Sequence, residues 1–226
     1  MADREAQEII VKGLRSLTPG VPVVAEEKEN PPELISSGTY WLVDPLDGTR
    51  EFILGRDEFT VNIGLISGGR PVMGVVYAPV MDDLFYGDPK GAVRYRASGM
   101  ESLRPLSWHE GTPLRLITSR READKLPLER WLAAGQIGGW RICSSAYKFG
   151  LMAAGEHDIF VRTCPTFEWD TAAGEAILRA VGGRVVTPDG KDLAYGKPGF
   201  RNAAMIATIQ GTNDHFFAQE IRRNLR

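Results

Sequence analysis

The sequence predicts a two-part α/β fold, with an α+β first half and an α/β second half, and three observations carry that expectation. From Thr60 to Arg96, short apolar-alternating segments separated by turn residues describe an antiparallel meander. Beyond Leu114, strand-like runs alternate with helical ones. Between Ser98 and Pro113 the periodicity is lost, which predicts subdomains at 1–108 and 109–226.

Along the chain, Ala6, Ile9, Ile10, Gly13 and Leu14 fall at helical spacing, so Asp3 to Leu14 is expected to be an amphipathic helix, ended by Pro19-Gly20. Val21 to Ala25 reads as a short buried strand running into Glu26-Glu27, and a polar loop with Pro31-Pro32 follows. Thr39 to Val43 is a second buried strand, expected to stop at Asp44-Pro45. Thr60–Ile66, Pro71–Tyr77, Leu84–Tyr86 and Ala92–Arg96 supply the meander. In the second half, strands are expected at Leu114–Ser119, Trp140–Cys143, His157–Val161, Arg184–Val186 and Ala203–Ala207. Helices are expected at Ala123–Ala134, Ser145–Ala154, Trp169–Val181 and Asn213–Leu225. Gly182-Gly183 caps the third of these.

The formal net charge of −2 argues against a nucleic-acid polymer as partner. No apolar run approaches the roughly 18–20 residues of a membrane span, and the polar start Met1-Ala2-Asp3-Arg4-Glu5 predicts no signal peptide. Two cysteines, Cys143 and Cys164, are too few for a disulfide framework and point to a cytoplasmic location. None of the three histidines has zinc-site spacing, so any metal must be held by oxygen.

The chemistry concentrates in Trp41 to Phe52. A buried strand delivers Asp44, and Pro45 turns the chain so that Asp47 returns a second carboxylate to nearly the same place. Two carboxylates about 4 Å apart repel by roughly 4 kcal/mol at an effective dielectric of about 20, so a cation belongs between them. Hard divalent cations favour such oxygens, and the Leu46 carbonyl adds another. The backbone N–H groups of Gly48-Thr49, opening a helical turn, are suited to an anion such as phosphate. Taken alone, this pentapeptide is equally a simple turn. Glu26 at a strand end and Asp3 and Asp170 at helix starts are, singly, a loop acid and two helix-end acids.

Taken together, Ala2-Asp3, Glu26-Glu27, Asp44-Pro45-Leu46-Asp47-Gly48-Thr49 and Trp169-Asp170-Thr171-Ala172-Ala173-Gly174 resemble the inositol monophosphatase superfamily of Mg²⁺-dependent, lithium-sensitive phosphatases. Within it, Tyr40–Phe52, Glu58–Ile63, Gly74–Pro79 and Ser144-Ser145-Ala146-Tyr147-Lys148 are similar to the bacterial 3′(2′),5′-bisphosphate nucleotidases. The resemblance runs over essentially the whole chain and implies a layered α/β/α/β/α sugar-phosphatase-like fold. It makes Glu26, Asp44, the Leu46 carbonyl, Asp47 and Asp170 ligands of two or three Mg²⁺ ions. It assigns Asp3 and Thr49, with Glu26, to the attacking water, and the Gly48 and Thr49 backbone, with Asp47 and Asp170, to the substrate. Ser144, Ser145, Lys148 and Arg162 match positions near the ribose and the second phosphate.

The implied reaction is hydrolysis of the 3′-phosphate of adenosine 3′,5′-bisphosphate to AMP and phosphate. The resemblance leaves the sulfated counterpart, 3′-phosphoadenylyl sulfate, open as a second substrate in the same sulfur metabolism. Two alternatives stay open: a phosphatase for inositol monophosphate or another sugar phosphate, and a non-catalytic remnant that binds metal or nucleotide. A homodimer and peripheral contact with the inner face of the cell membrane are also left open.

The chain departs from the family pattern twice. It begins at the Ala2-Asp3 pair, where family members carry a further helix upstream, so exposed apolar surface on the sheet or first helix is expected. It also has Ser119-Arg120-Arg121-Glu122 where the nucleotidases show Ser-Arg-Ser-His, which places an acid near the expected nucleotide.

Overall fold

Gln7, Val11 and Leu14, spaced four and three residues apart, form the buried stripe of helix α1 (Ala2–Leu17). In this computed structural model, which describes residues 2–28, 30, 35, 38–212 and 214–224, α1 leads into strand β1 (Val23–Ala25). The expected Pro31-Pro32 loop and two ends of the expected last helix, Asn213 and Leu225, lie outside the described residues. β1 runs parallel to β2 (Thr39–Asp47), and after helix α2 (Thr49–Ile53) the chain turns back on itself repeatedly. β3 (Thr60–Ser67), β4 (Arg70–Ala78), β5 (Asp83–Asp88), β6 (Gly91–Arg96) and β7 (Gly99–Leu103) complete a seven-stranded sheet in sequence order, antiparallel from β2 onward. β7 was not expected. Its Gly-Met-Glu-Ser-Leu sequence has little buried apolar face, and its strand form comes from backbone pairing with β6.

The second half contains β8 (Leu114–Thr118), α3 (Arg120–Ala123), α4 (Leu128–Ala133), β9 (Ile137–Ile142), α5 (Tyr147–Ala153) and β10 (Ile159–Arg162). There follow β11 (Thr166–Phe167), α6 (Ala172–Ala180), β12 (Arg184–Val186), β13 (Arg201–Asn202), β14 (Met205–Thr208) and α7 (His215–Asn224). Its main sheet has the order β12-β14-β10-β8-β9, with β8, β9 and β10 parallel and β14 antiparallel to both its neighbours. The helix expected at Ala123–Ala134 is two helices, because Pro127 has no N–H to donate and disfavours helical geometry at Leu126. The helix expected from Trp169 starts at Ala172, after a 3-10 turn over Glu168–Asp170.

Burial places the elements in five layers, α/β/α/β/α. Val11 and Leu14 of α1 pack on Trp41 and Val43, covering part of the outer face of the first sheet. The inner face meets α5 and α6, whose Phe149, Met152, Ala173 and Ile177 share one core with Ile117, Phe160, Val185 and Met205 of the second sheet. Trp131, Phe217 and Ile221 of α4 and α7 cover the far side. Ile9 and Leu17 of α1 stand exposed. Among the described residues no helix is long and apolar enough to cross a membrane.

Three glycines decide how deeply α6 sits. Gly64, Gly74 and Gly87 are cross-strand partners on β3, β4 and β5, so they form a smooth groove across the sheet. A Cβ on Gly74 would lie 2.1 Å from the Ala173 carbonyl oxygen, and one on Gly87 would lie 2.6 Å from the Ile177 Cα. Only a strip without side chains lets the helix backbone approach so closely. The start of α6, and with it Asp170, is thereby held near the end of β2. Across the other end of the sheet, buried Arg94 binds Asp83 (2.5 Å) and Glu156 (3.0 Å), and Tyr147 of α5 donates to Asp83 (2.8 Å).

Candidate active site

β2 does not stop at Asp44, as its sequence suggested; it continues through Asp47. Asp44 pairs with Asn62 and Asp47 with Thr60, so three steps on β2 face two on β3. That one-residue bulge contains Pro45, which cannot donate to the ladder. In a regular strand, residues three apart point to opposite faces. The extra residue restores parity and turns both carboxylates toward α6. The Leu46 N–H closes the bulge on Asp44 Oδ1 at 3.0 Å.

Carboxylate oxygens of Asp44, Asp47 and Asp170 lie within 4.8 Å of one another. Glu26 follows β1, donates its N–H to the Val43 carbonyl at 3.2 Å, and brings its carboxyl beside that of Asp44. The donor set is therefore all-oxygen and strongly anionic, which fits hard divalent cations. Burial, and then the charges of Asp47, Glu26 and Asp170, push Asp44 well above the usual carboxylate range. Burial and Asp47 push Asp170 up to about 7. Without a cation this cluster takes up protons in its place.

Asp3 stands in the first turn of α1, within electrostatic reach of Glu26. Buried Gln7, from the same helix, accepts the Glu27 N–H at 3.0 Å and fastens α1 to the Glu26-Glu27 turn. Thr49 is exposed at the start of α2, where its hydroxyl donates to the Leu46 carbonyl at 3.1 Å. Gly48 precedes it with φ 92°, and a Cβ there would stand 3.1 Å from the Glu58 carbonyl oxygen. Asp170 accepts the Phe167 N–H with Oδ2 at 2.8 Å. Trp169 beside it is buried and stacks on Phe167 with ring centroids 4.8 Å apart.

The second half brings its residues to the same place. Asp47 Oδ2 accepts the Ala146 N–H at 2.5 Å, and Glu58 accepts the Ser144 N–H at 3.1 Å. These two carboxylates bracket Ser145, whose φ of 56° is unusual for a residue with a side chain. The Ser145 carbonyl accepts the ammonium of Lys148, a buried cation that burial pushes below the ordinary lysine range. Arg162 ends β10. Asp47, Ser145, Lys148, Arg162 and Asp170 line one pocket, with Phe149, Phe160, Thr166, Thr171 and Met205 as its walls. Ser144, with its N–H held by Glu58, is not among the residues lining that pocket.

Sequence reasoning missed the residues that hold the site together. Asn62 donates to Asp47 Oδ2 at 3.2 Å, in addition to the contacts of Gln7 and Glu58. Glu168, wholly buried, accepts the Gly196 and Lys197 N–H groups at 2.8 and 2.9 Å and pairs with the Lys197 ammonium at 2.7 Å, anchoring the turn before Asp170. For Asn62, Glu58 and Glu168 the available signal was a position two residues from a candidate ligand or inside a quoted motif; for Gln7 it was a place one helical turn after Asp3. Glu122 requires a correction: its carboxylate is fully buried and does not line the pocket.

The chain is similar to known proteins over most of its length. The inositol monophosphatase family model matches residues 1–226. The 3′(2′),5′-bisphosphate nucleotidase CysQ of Escherichia coli K12 is 42% identical over 209 residues, covering 88% of this chain and 82% of that protein. The CysQ of Buchnera aphidicola is 39% identical over 220 residues, covering 97% and 79%. The crystal structure of CysQ from Bacteroides thetaiotaomicron, a bacterial member of the inositol monophosphatase family, superposes with a TM-score of 0.80 at 33% identity, covering 93% of this chain and 84% of that one.

Proposed function

The chain belongs to the inositol monophosphatase family, and from that premise we propose that it is a Mg²⁺-dependent 3′(2′),5′-bisphosphate nucleotidase. It hydrolyses adenosine 3′,5′-bisphosphate to AMP and phosphate, and 3′-phosphoadenylyl sulfate by the same chemistry. One observation carries the choice within the family: Lys148 and Arg162 line the same pocket as Asp47 and Asp170. A phosphomonoester needs only the acidic centre, whereas a second phosphate needs cations of its own.

Glu26, Asp44, the Leu46 carbonyl, Asp47 and Asp170 are the residues that would hold two or three Mg²⁺ ions. Bound there, the ions supply positive charge that acidifies water and neutralises the phosphate and the leaving oxygen. The protein does the rest by placement. The Thr49 hydroxyl donates to Leu46, so its lone pairs remain to accept a hydrogen bond from the attacking water and aim it. Asp3 and Glu26 receive the proton that the water gives up. The Gly48 and Thr49 N–H groups hold the transferred phosphate, and Asp47 fixes the substrate against the Ser144–Lys148 turn, with Ser145 near the ribose. No covalent nucleophile is required. Glu122 is buried outside the pocket lining and pairs with the Nε side of Arg162.

Charge-assisted phosphate contacts contribute roughly 1.5–3 kcal/mol, or about 10- to 150-fold in discrimination. Replacing Lys148 or Arg162 by alanine should therefore narrow the preference for adenosine 3′,5′-bisphosphate over adenosine 3′-monophosphate. Measuring kcat/KM for both nucleotides tests this. An unchanged ratio in both variants would remove the basis for the nucleotide assignment.

A further inference from the structure

Glu122 has no role in the reaction as described, yet it is among the most heavily bonded carboxylates in the second half. It sits in α3 with no exposed surface. Its oxygens accept the Thr163 N–H at 2.9 Å, the Thr163 hydroxyl at 2.7 Å and the Cys164 N–H at 2.9 Å. Burial opposes its charge, but the bonds from Cys164 and Thr163 outweigh burial and hold the carboxyl below the usual range. Both residues that donate to it come directly after Arg162. The Arg162 Nε lies 3.8 Å from Glu122 Oε1 and donates to the Cys164 carbonyl at 3.2 Å. One edge of the guanidinium is thus tied to a turn that Glu122 pins from below. The Nη nitrogens of Arg162 make no hydrogen bond among the described residues, and the side chain lines the pocket.

We infer that Glu122 is a positioning residue for substrate choice: it fixes the 162–164 turn so that the Nη edge of Arg162 faces the pocket and receives the second phosphate of a bisphosphate substrate. The inference rests on the nucleotidase reading. An arginine tethered at Nε and balanced by a buried carboxylate loses little freedom when a phosphate arrives, and that preorganisation appears as affinity. Glutamine at position 122 keeps the shape but offers one acceptor oxygen to donors now served by two, so the turn loosens.

The test is a double-mutant cycle of Glu122→Gln and Arg162→Ala, with kcat and KM measured for adenosine 3′,5′-bisphosphate and adenosine 3′-monophosphate in saturating Mg²⁺. Calorimetric binding of AMP in Ca²⁺ provides a readout independent of turnover. Glu122→Gln should raise KM for the bisphosphate about 10-fold and weaken AMP binding to a similar extent, while moving KM for the monophosphate far less. In the Arg162→Ala background it should add nothing further. If Glu122→Gln does not fold, Thr163→Val, which removes one of the bonds, should still raise KM for the bisphosphate roughly threefold.

Effects that multiply in the double variant, or that fall equally on both substrates, would overturn the inference and leave Glu122 a structural residue. So would an unchanged KM in Thr163→Val. A wild-type enzyme that does not prefer the bisphosphate would instead overturn the underlying substrate reading, and this inference with it. The wild-type ratio therefore separates the two failures.

Discussion

At the scale of single residues, the acidic centre makes its prediction through protons. The folded-state pKa of Asp170, about 7, lies above its unfolded value of about 4. Between those values the folded form binds more protons than the unfolded one, so stability falls as pH rises through that window. Asp44 acts in the same direction. Metal-free protein should therefore melt at progressively lower temperature from about pH 4 to about pH 7, and Mg²⁺ should reverse the loss. Asp170→Asn should flatten the dependence and, like Asp44→Asn, abolish turnover with the fold intact. Melting curves across pH, paired with activity, check this; normal Mg²⁺-dependent activity in either variant would contradict the ligand assignment. Thr49→Ala should lower kcat by about 100-fold or more while AMP affinity in Ca²⁺ stays near its original value. A change confined to affinity would make Thr49 a phosphate clamp instead. Asp44 and Asp47 were legible from the apolar strand and the Pro45 turn that carry them, whereas Asp170, singly a helix-start acid, was singled out only by the resemblance of Trp169–Gly174 to the family. Glu122 and Glu168 were not legible, since a fully buried carboxylate and a solvated one look alike until their backbone donors are placed.

At the scale of elements, the site depends on a bulge and a groove. The Asp44–Asp47 segment read as a turn because all its residue types favour turns. Its role as a bulge inside β2 depends on the β3 register, which is a pairing between distant segments. The strands of the meander were legible from their alternation, and Pro127 breaking a helix was legible in principle from proline chemistry. The Gly64–Gly74–Gly87 groove was not, because those glycines lie far apart in sequence and meet only in the folded sheet. Gly74→Ala should displace α6, since the added Cβ would lie 2.1 Å from the Ala173 carbonyl oxygen. Overpacking of this kind costs about 1–3 kcal/mol, and more where the obstacle is backbone. The variant should melt well below wild type and require more Mg²⁺ for half-maximal activity, because Asp170 moves with α6. Alanine at Gly68, where the added Cβ meets nothing within 4 Å, is the control; its effect should be limited to the strain of its φ of 58°. Equal melting temperatures for the two variants would show that the groove is not what seats the helix.

At the scale of the whole molecule, the five layers bring two halves of different texture onto one pocket. The first sheet contributes Asp44 and Asp47, and α1 and β1 bring Asp3 and Glu26 beside them. The second half closes the site with Asp170, Lys148 and Arg162. The fold class and the order of the acids could be read from the chain; the fastening of the halves could not, because it runs through Asp83, Arg94, Tyr147 and Glu156, four ordinary-looking residues. The central claim is that an all-oxygen cation centre and a second-phosphate subsite share that pocket. Its most direct test is kcat/KM for phosphate release from adenosine 3′,5′-bisphosphate, adenosine 3′-monophosphate and inositol 1-phosphate, each with Mg²⁺ and with a chelator. The bisphosphate should exceed the monophosphate by about 10- to 150-fold, and chelation should abolish all turnover. A preference for inositol 1-phosphate would contradict the second-phosphate subsite, and turnover that survives chelation would contradict the cation centre itself.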